Sequence, residues 1–399
     1  MGKLRVLGLH RRSISMSLTR IRLVRGVGVV GLALVAVVLL GVGRRYVDGF
    51  SLVVRSADLG GFVRGVSDLA AVPVTERVVQ IPVPHASIRA RVYAPLRTPR
   101  QTVLVVSGLH PAGIDEPRLV DLARKLAEAN VIVVTPEIPE LSRFEITGTL
   151  TDRIEHTAAW LATDSRLAPE GRIGLMGISF SGGLAVVAAG RPALRNHLTY
   201  VLSFGGHDDL RRVLEYFCCK SEGEGLPHDY GVAVVLLNMA DRLVPPDQVA
   251  PLRDGVRRFL VASYLDRVDK PEAAREFAAL RDLARTLPEP AATLLDYVNN
   301  RDVANLGPRL LPYIGSYVDA SELSPARSPK PTVPVFLLHG RYDNVIPAAE
   351  SERLADRLRG EVPVHLLVTD LISHADADQP AHFIDVLRVA RFWGDLLAQ

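Results

Sequence analysis

The stretch Gly177-Ile178-Ser179-Phe180-Ser181-Gly182-Gly183 carries Ser179 two residues after a glycine and two residues before a second serine. The residues before it, 172–176, are mostly apolar, and residues 184–189 read Leu-Ala-Val-Val-Ala-Ala. This pattern predicts a buried strand, a sharp turn and a helix, in that order. Such a turn lifts a hydroxyl above the edge of a sheet and admits only small residues as close neighbours. Ser179 is therefore the candidate nucleophile.

Short apolar runs and helical patterns alternate around this stretch. Strands are predicted at 74–83, 87–94, 102–107, 131–135, 172–176, 198–203, 333–338 and 362–368, and helices at 116–130, 148–162 and 380–397. The first two runs alternate in polarity, as paired strands do. The later ones are mainly aliphatic, which is typical of parallel strands covered on both faces. The predicted fold class is therefore α/β, with a mostly parallel sheet flanked by helices.

The alternation stops between Ser203 and Val333. That segment predicts helices at 208–219, 232–242, 247–267, 271–287 and 291–300. The sheet needs the following strand to finish, so we interpret the segment as a helical cap inserted into the core. The predicted division is a core of residues 74–206 and 332–399, with a cap over 207–331.

Two further residues complete a candidate catalytic triad. A serine hydroxyl is a poor nucleophile unless a histidine takes its proton and a carboxylate orients that histidine. Asp343 and His374 each follow one of the last two predicted strands. Functional sites of α/β proteins lie at the carboxyl ends of the parallel strands. The order Ser, Asp, His along the chain is the one expected with a strand–turn–helix nucleophile elbow such as the one around Ser179. We therefore expect Ser179, Asp343 and His374 to converge.

The oxyanion that forms during attack also needs hydrogen-bond donors. Gly108 follows the first buried strand and allows the backbone to approach closely. The backbone N–H groups of Leu109 and Phe180 are therefore the expected donors. His110 and His207 follow strand ends at the same edge and are candidate pocket residues.

Each role has a competitor in the sequence. Asp208 and Asp209, just past the strand at 198–203, are alternative acids, and the alternative bases are His110, His207 and His382. Ser181 is a second serine in the turn, and we expect its hydroxyl to cap the first turn of the helix.

The segments around Gly108, Ser179 and Asp343 together resemble the α/β-hydrolase family. The most specific match is H-G-x-x-D-x-x-I-P, here His339-Gly340-Arg341-Tyr342-Asp343-Asn344-Val345-Ile346-Pro347. The resemblance spans nearly all of residues 74–399. It implies an eight-stranded, mostly parallel sheet, acyl transfer to water, and no metal or other cofactor.

Two positions depart from the family pattern. Ser107 stands where many members carry the histidine of a His-Gly pair, and Ser181 replaces the second glycine of the elbow. The first change matters little for an oxyanion donor because that donor is backbone. The second crowds the turn.

Charge is distributed unevenly along the chain. The net charge is +3, but residues 1–45 hold nine Lys or Arg and no acid. The remainder has 47 − 9 = 38 basic and 44 acidic residues, a balance of −6. A mildly acidic body argues against nucleic-acid binding, which depends on clustered cations.

The basic N-terminus flanks an apolar run. Residues 26–43 are 18 consecutive uncharged residues, enough to predict a transmembrane anchor. More cations precede the run than follow it, so residues 1–25 are predicted as a cytoplasmic tail, and the catalytic domain is placed on the other side of the membrane. Residues 44–73 are then a connector. A cleaved signal peptide is the alternative, although no small-residue cleavage site follows the run.

The sequence thus predicts a membrane-anchored serine hydrolase that cleaves a carboxylic ester, thioester or related acyl bond. Its expected partners are the membrane and a small-molecule or lipid-like acyl substrate. Two alternatives stay open. One is a serine peptidase of the same fold, and the other is a catalytically degenerate hydrolase that serves as a binding or scaffold protein.

Overall fold

The computed structural model describes residues 46–47, 49–53, 55, 71–84, 86–219, 228, 230–318, 321–372 and 383–399. Its strands are β1 (Val74–Val83), β2 (Ala86–Pro95), β3 (Gln101–Val106), β4 (Val131–Pro136), β5 (Ile173–Ile178), β6 (Leu198–Phe204), β7 (Val335–Gly340) and β8 (Val364–Thr369). Its helices are α1 (Pro117–Glu128), α2 (Pro139–Ser142), α3 (Thr149–Thr163), α4 (Phe180–Ala189), α5 (Leu210–Cys218), α6 (Tyr230–Leu243), α7 (Pro246–Val268), α8 (Lys270–Thr286), α9 (Ala291–Asn299), α10 (Val303–Tyr317), α11 (Ala348–Leu358) and α12 (Phe383–Leu397).

The strands form one eight-stranded sheet in the order β1-β2-β4-β3-β5-β6-β7-β8. β2 is antiparallel to both β1 and β4, and every other neighbouring pair is parallel. The carboxyl ends of β3, β5, β6, β7 and β8 therefore lie at one edge of the sheet. This confirms the predicted α/β class and the mostly parallel, eight-stranded sheet flanked by helices.

Apolar residues pack on both faces of the sheet. One cluster joins a sheet face to α3, α4 and the helices that lie between β6 and β7. The other joins the opposite face to α1 and α12. Burial on both faces explains why the parallel strands are aliphatic at almost every position.

The N-terminal helical segment, residues 49–53 with Arg55, packs into the second cluster. Leu52 and Val53 are 1% and 7% exposed. Gly49 lies so close to α12 that a Cβ there would collide with the backbone of Ala390. Arg55 donates a 2.6 Å hydrogen bond to Glu128 at the end of α1. Residues 49–53 and Arg55 of the predicted connector are therefore packed on the core.

Six helices, α5 to α10, lie between β6 and β7, where the sequence predicts the helical insertion. The last of them, α10, was not predicted, because Pro308 and Pro312 lie inside it. Prolines normally interrupt a helix. Here the buried residues Leu306, Leu310 and Ile314 recur every four residues and hold one face of α10 against the core.

The predicted anchor at residues 26–43 lies outside the described residues. Among those that are described, no helix combines the length and apolar character needed to cross a bilayer.

Candidate active site

Ser179 lies at the sharp turn between β5 and α4. Its backbone has φ 55° and ψ −128°, a combination that L-residues rarely adopt. Its N–H donates to the carbonyl of Phe204 on β6 at 2.6 Å, which fixes the turn to the sheet. A Cβ at position 177 would collide with the carbonyl oxygen of Ser181, so this position requires glycine. Strained backbone conformations such as that of Ser179 are concentrated at functional sites.

The loop after β3 lies against this serine. An ideal Cβ on Gly108 would stand 3.2 Å from the Cβ of Ser179 and 3.8 Å from its Oγ. The next residue, Leu109, is half-buried, and Phe180 begins α4. Leu109 directly follows Gly108, and Phe180 directly follows Ser179. Each expected oxyanion donor is therefore the next residue after one partner of the Gly108–Ser179 contact. Their role as donors stays a prediction.

Ser181 does not cap α4. Its hydroxyl is fully buried and donates to the backbone carbonyl of Ser107 at 2.6 Å. No side chain caps the first turn of α4 from the N-cap position. The capping prediction was wrong. A buried hydroxyl needs a hydrogen-bond acceptor, and the backbone carbonyl of Ser107 lies within reach of Ser181.

Asp343 lies in the loop that leaves β7 and is buried. Its Oδ1 accepts hydrogen bonds from the backbone N–H groups of Val345 and Ile346, at 2.8 and 3.0 Å. Its Oδ2 lies 3.5 Å from Nε2 of His339. The carboxylate is therefore held by its own loop in a fixed orientation, as the acid of a triad must be.

The strand register relates Ser179 to Asp343. Ile178, Phe204 and Leu338 are partners across β5, β6 and β7, so the loops that follow β5 and β7 leave from one row. Neighbouring strands are about 4.8 Å apart, so β5 and β7 are separated by about 10 Å. A gap of this size suits an imidazole that bridges a hydroxyl and a carboxylate.

His374 and its competitor His382 lie outside the described residues. The described chain after β8 runs as far as Ile372, beside the Asp343 loop, and resumes at Phe383. β8 ends at Thr369, and a Cβ on Gly340 would collide with the carbonyl oxygen of Ile372. The backbone two residues before His374 is thus in contact with the backbone three residues before Asp343.

The two alternative acids, Asp208 and Asp209, belong to a separate hydrogen-bond network. Asp208 is completely buried and accepts from Arg212 at 2.8 Å and from Arg357 at 2.9 and 3.0 Å. The backbone N–H groups of Asp208 and Asp209 both donate to Glu350. Burial alone would raise the pKa of Glu350, but hydrogen bonds from Arg212 and these amides lower it. This buried ion network holds the β6 loop against α11, which favours Asp343 as the acid.

His207, one of the two candidate pocket residues, packs in the interior of the protein. Its ring is completely buried, stacked on Phe180 at 5.5 Å between centroids, and its Nε2 lies 2.8 Å from the carbonyl of Leu323. Burial lowers the pKa of His207, so the ring is neutral. The ring packs directly against α4, so a Cβ on Gly183 would collide with it.

His110 is partly buried at the end of the β3 loop. Its ring packs edge-on against Tyr264 of α7, with centroids 4.6 Å apart, and its Nδ1 accepts from the N–H of Ala112 at 3.2 Å. Burial lowers the pKa of His110, and the nearby carboxylate of Glu116 offsets this only in part. A neutral imidazole therefore lies next to the predicted oxyanion donor Leu109.

Two residues near the site were missed by the sequence analysis. Tyr264 reaches His110 from the inserted helices, and the backbone N–H of His228 donates to the carbonyl of Asn344 at 2.8 Å, next to Asp343. No local pattern marks these contacts, because each joins segments more than a hundred residues apart. Within the described ranges, no cluster of three or more His, Cys, Asp or Glu is arranged to hold a metal ion.

Several solved structures are similar in overall shape at low identity. An esterase from Pyrobaculum calidifontis has a TM-score of 0.43 and 17% identity, covering 83% of this chain and 86% of that one. A thermostable esterase from Pseudomonas putida ECU1011 has 0.46 and 15%, covering 87% and 86%. A dienelactone hydrolase from Anabaena variabilis ATCC 29413 has 0.40 and 16%, covering 80% and 96%. No protein-family model matches the chain, and no curated protein matches it.

Proposed function

We propose that the chain is a membrane-anchored serine hydrolase that cleaves an ester, thioester or related acyl bond. The observation that carries this proposal is the strained backbone of Ser179 with the Gly108 loop packed against it. A serine that merely ended a strand would need neither a strained backbone nor a loop packed closely against it. Together they present one hydroxyl beside backbone that can donate to an oxyanion.

The reaction proceeds in two acyl-transfer steps. Oγ of Ser179 attacks the acyl carbon while His374 takes the hydroxyl proton, and Asp343 stabilises the resulting imidazolium. The N–H groups of Leu109 and Phe180 donate to the oxyanion. When the intermediate collapses, the bond to the leaving group breaks and His374 returns the proton to that group. Water then hydrolyses the acyl-enzyme by the same route, and Ser179 regains its proton.

Two features support a membrane location. Residues 26–43 are long and apolar enough to span a bilayer. The chain that follows them packs directly on α12, so an anchored domain would be held close to the membrane surface. A lipid-like acyl substrate follows from that placement. Recovery of the full chain in the membrane pellet after alkaline carbonate washing is the expected result, and release into the supernatant would contradict it.

The direct test of the chemistry is turnover of a chromogenic short-chain ester by the full chain in detergent. Ser179→Ala should abolish turnover, because the substituted chain has no nucleophile to acylate. Ser165→Ala, at an exposed serine before β5, is the matched control and should retain the wild-type rate. Turnover that survives in Ser179→Ala would exclude Ser179 as the nucleophile. A folded wild-type chain without turnover of any acyl substrate would favour the scaffold alternative.

A further inference from the structure

The hydroxyl of Ser181 joins the two backbone segments that carry the expected oxyanion donors. Its Oγ donates to the carbonyl of Ser107, 74 positions earlier in the chain, at 2.6 Å. Ser181 directly follows Phe180 in α4, and Ser107 stands two residues before Leu109. One buried hydrogen bond thus connects the elbow to the β3 loop immediately behind the candidate nucleophile.

The geometry of the peptide unit shows what this bond controls. The carbonyl of Ser107 and the N–H of Gly108 belong to one planar unit, so a fixed carbonyl direction fixes the start of the loop. The next residue is glycine, which tolerates backbone conformations that other residues avoid. The hydrogen bond from Ser181 therefore restricts the start of a loop whose next residue has wide conformational freedom.

Of the two departures from the family pattern, only Ser181 contributes its side chain to this contact, because Ser107 contributes its backbone carbonyl. Ser107 and Ser181 are the two positions where the sequence differs from the α/β-hydrolase pattern. A glycine at 181 would have no hydroxyl to offer the Ser107 carbonyl. Because Ser181 is completely buried, water has no access to replace that donor.

We propose that Ser181 is a positioning residue that sets the backbone of the oxyanion hole by holding the Ser107 carbonyl. The inference rests on the proposed hydrolase function. Ser181 acts through the loop and does not touch the reacting atoms. Its loss should therefore impair the transition state, where charge develops on the oxygen, more than the binding of substrate.

A purely structural role makes a different prediction. A buried hydroxyl that only satisfies a carbonyl would lower stability when removed and leave the turnover of the folded protein unchanged. Thr151 on α3 offers the matched case, because its Oγ1 donates to the carbonyl of Glu322, also at 2.6 Å, and the residue is completely buried. Thr151→Val removes that hydrogen bond and preserves the side-chain shape.

The experiment compares Ser181→Ala, Ser181→Gly and Thr151→Val in the full chain. Each rate is expressed per site that reacts with a fluorophosphonate probe. Both Ser181 variants should lose about tenfold in kcat with KM changed less than about twofold, and inhibition by butylboronic acid should weaken by a similar factor. Thr151→Val should be less stable but keep the wild-type kcat. Glycine is the residue that the family pattern places at 181, so Ser181→Gly provides the test if Ser181→Ala does not fold.

The outcomes separate the two proposals. If the wild-type chain reacts with the probe and both Ser181 variants keep kcat within about twofold, the positioning role is wrong and the hydrolase proposal stands. Equal losses of kcat in the Ser181 variants and Thr151→Val would also overturn the positioning role. If the wild-type chain neither reacts with the probe nor turns over esters, the proposed function falls, and this inference falls with it.

Discussion

Gly108 packs against Ser179 so closely that an ideal Cβ on the glycine would stand 3.2 Å from the serine Cβ and 3.3 Å from the carbonyl oxygen of Ile178. Contacts this short leave no room for a side chain without movement of the loop. The close packing of the β3 loop on the elbow therefore requires glycine at position 108, in addition to the hydrogen bond from Ser181 to the Ser107 carbonyl.

Gly108→Ala should lower kcat/KM about tenfold, because the added methyl group displaces the loop and the backbone N–H of Leu109 with it. Stability should change by less than about 1 kcal/mol, since the loop is at the surface of the site. Steady-state kinetics and chemical denaturation provide the two measurements. Gly148→Ala is the control, because a Cβ there meets only ordinary contacts at 3.8 Å. An unchanged kcat/KM in Gly108→Ala would contradict the placement of the oxyanion hole.

Asp343→Asn and Asp208→Asn should fail in different ways. Asp343→Asn should lower kcat by about 10³- to 10⁴-fold and leave the fold intact, because an amide cannot stabilise the imidazolium. Asp208→Asn should cost about 2 kcal/mol of stability, because it removes a buried carboxylate that accepts charge-assisted hydrogen bonds from Arg212 and Arg357. Its kcat per folded molecule should stay near that of the wild type. The reverse pattern would assign the catalytic acid to the β6 loop.

Glu350→Gln should destabilise the protein most at neutral pH. The pKa of Glu350 is lowered from its ordinary value of 4.5, so its contribution to stability is complete above that value. The contribution is lost as the pH falls through the lower pKa of the folded state. The variant should lose about 3 kcal/mol at about pH 7, and the difference from wild type should shrink towards pH 3. Urea unfolding at both pH values measures it.

Glu361→Gln is the control for that experiment. Glu361 forms an exposed ion pair with Lys330 at 3.0 Å, so its loss should cost less than about 1 kcal/mol. A pH-independent loss in Glu350→Gln, or an equal loss in both variants, would show that the buried network does not depend on the charge of Glu350.

Two truncations test the packing of the N-terminal helical segment. A chain that begins at residue 44 keeps Leu52 and Val53, whereas one that begins at residue 56 loses both from the core. The shorter chain should be less stable by about 4 kcal/mol, at about 2 kcal/mol for each buried side chain. Thermal or urea unfolding of the two chains provides the comparison. Equal stability would mean that residues 46–55 do not pack on α12 in solution.

The sheet could be predicted because its signal is local. The inner parallel strands are buried on both faces, so they appear in the sequence as short, mainly aliphatic runs, and β5 directly precedes its elbow. The two antiparallel strands alternate in polarity because one face is more exposed. Helix α10 escaped prediction because the signals that oppose helix, Pro308 and Pro312, are local, whereas the packing that overrides them is not.

The candidate site could be predicted only in part, for the same reason. The elbow motif and the acid motif are each contiguous, so the sequence alone could indicate Ser179 and Asp343 as candidates. The hydrogen bond from Arg357 to Asp208 joins residues 149 positions apart in the chain, and the one from Ser181 to Ser107 joins residues 74 positions apart. No spacing rule indicates either. Burial of His207 beneath Phe180 likewise depends on how α4 packs over the end of β6.

The central claim is that Ser179 is an activated nucleophile, and covalent labelling tests it most directly. The full chain is treated with a fluorophosphonate, and the modified peptide is located by mass spectrometry in wild type, Ser179→Ala and Ser165→Ala. The account predicts one modified residue, Ser179, in wild type and Ser165→Ala, and no modification in Ser179→Ala. A folded wild-type chain that stays unlabelled, or a label on another serine, would contradict it.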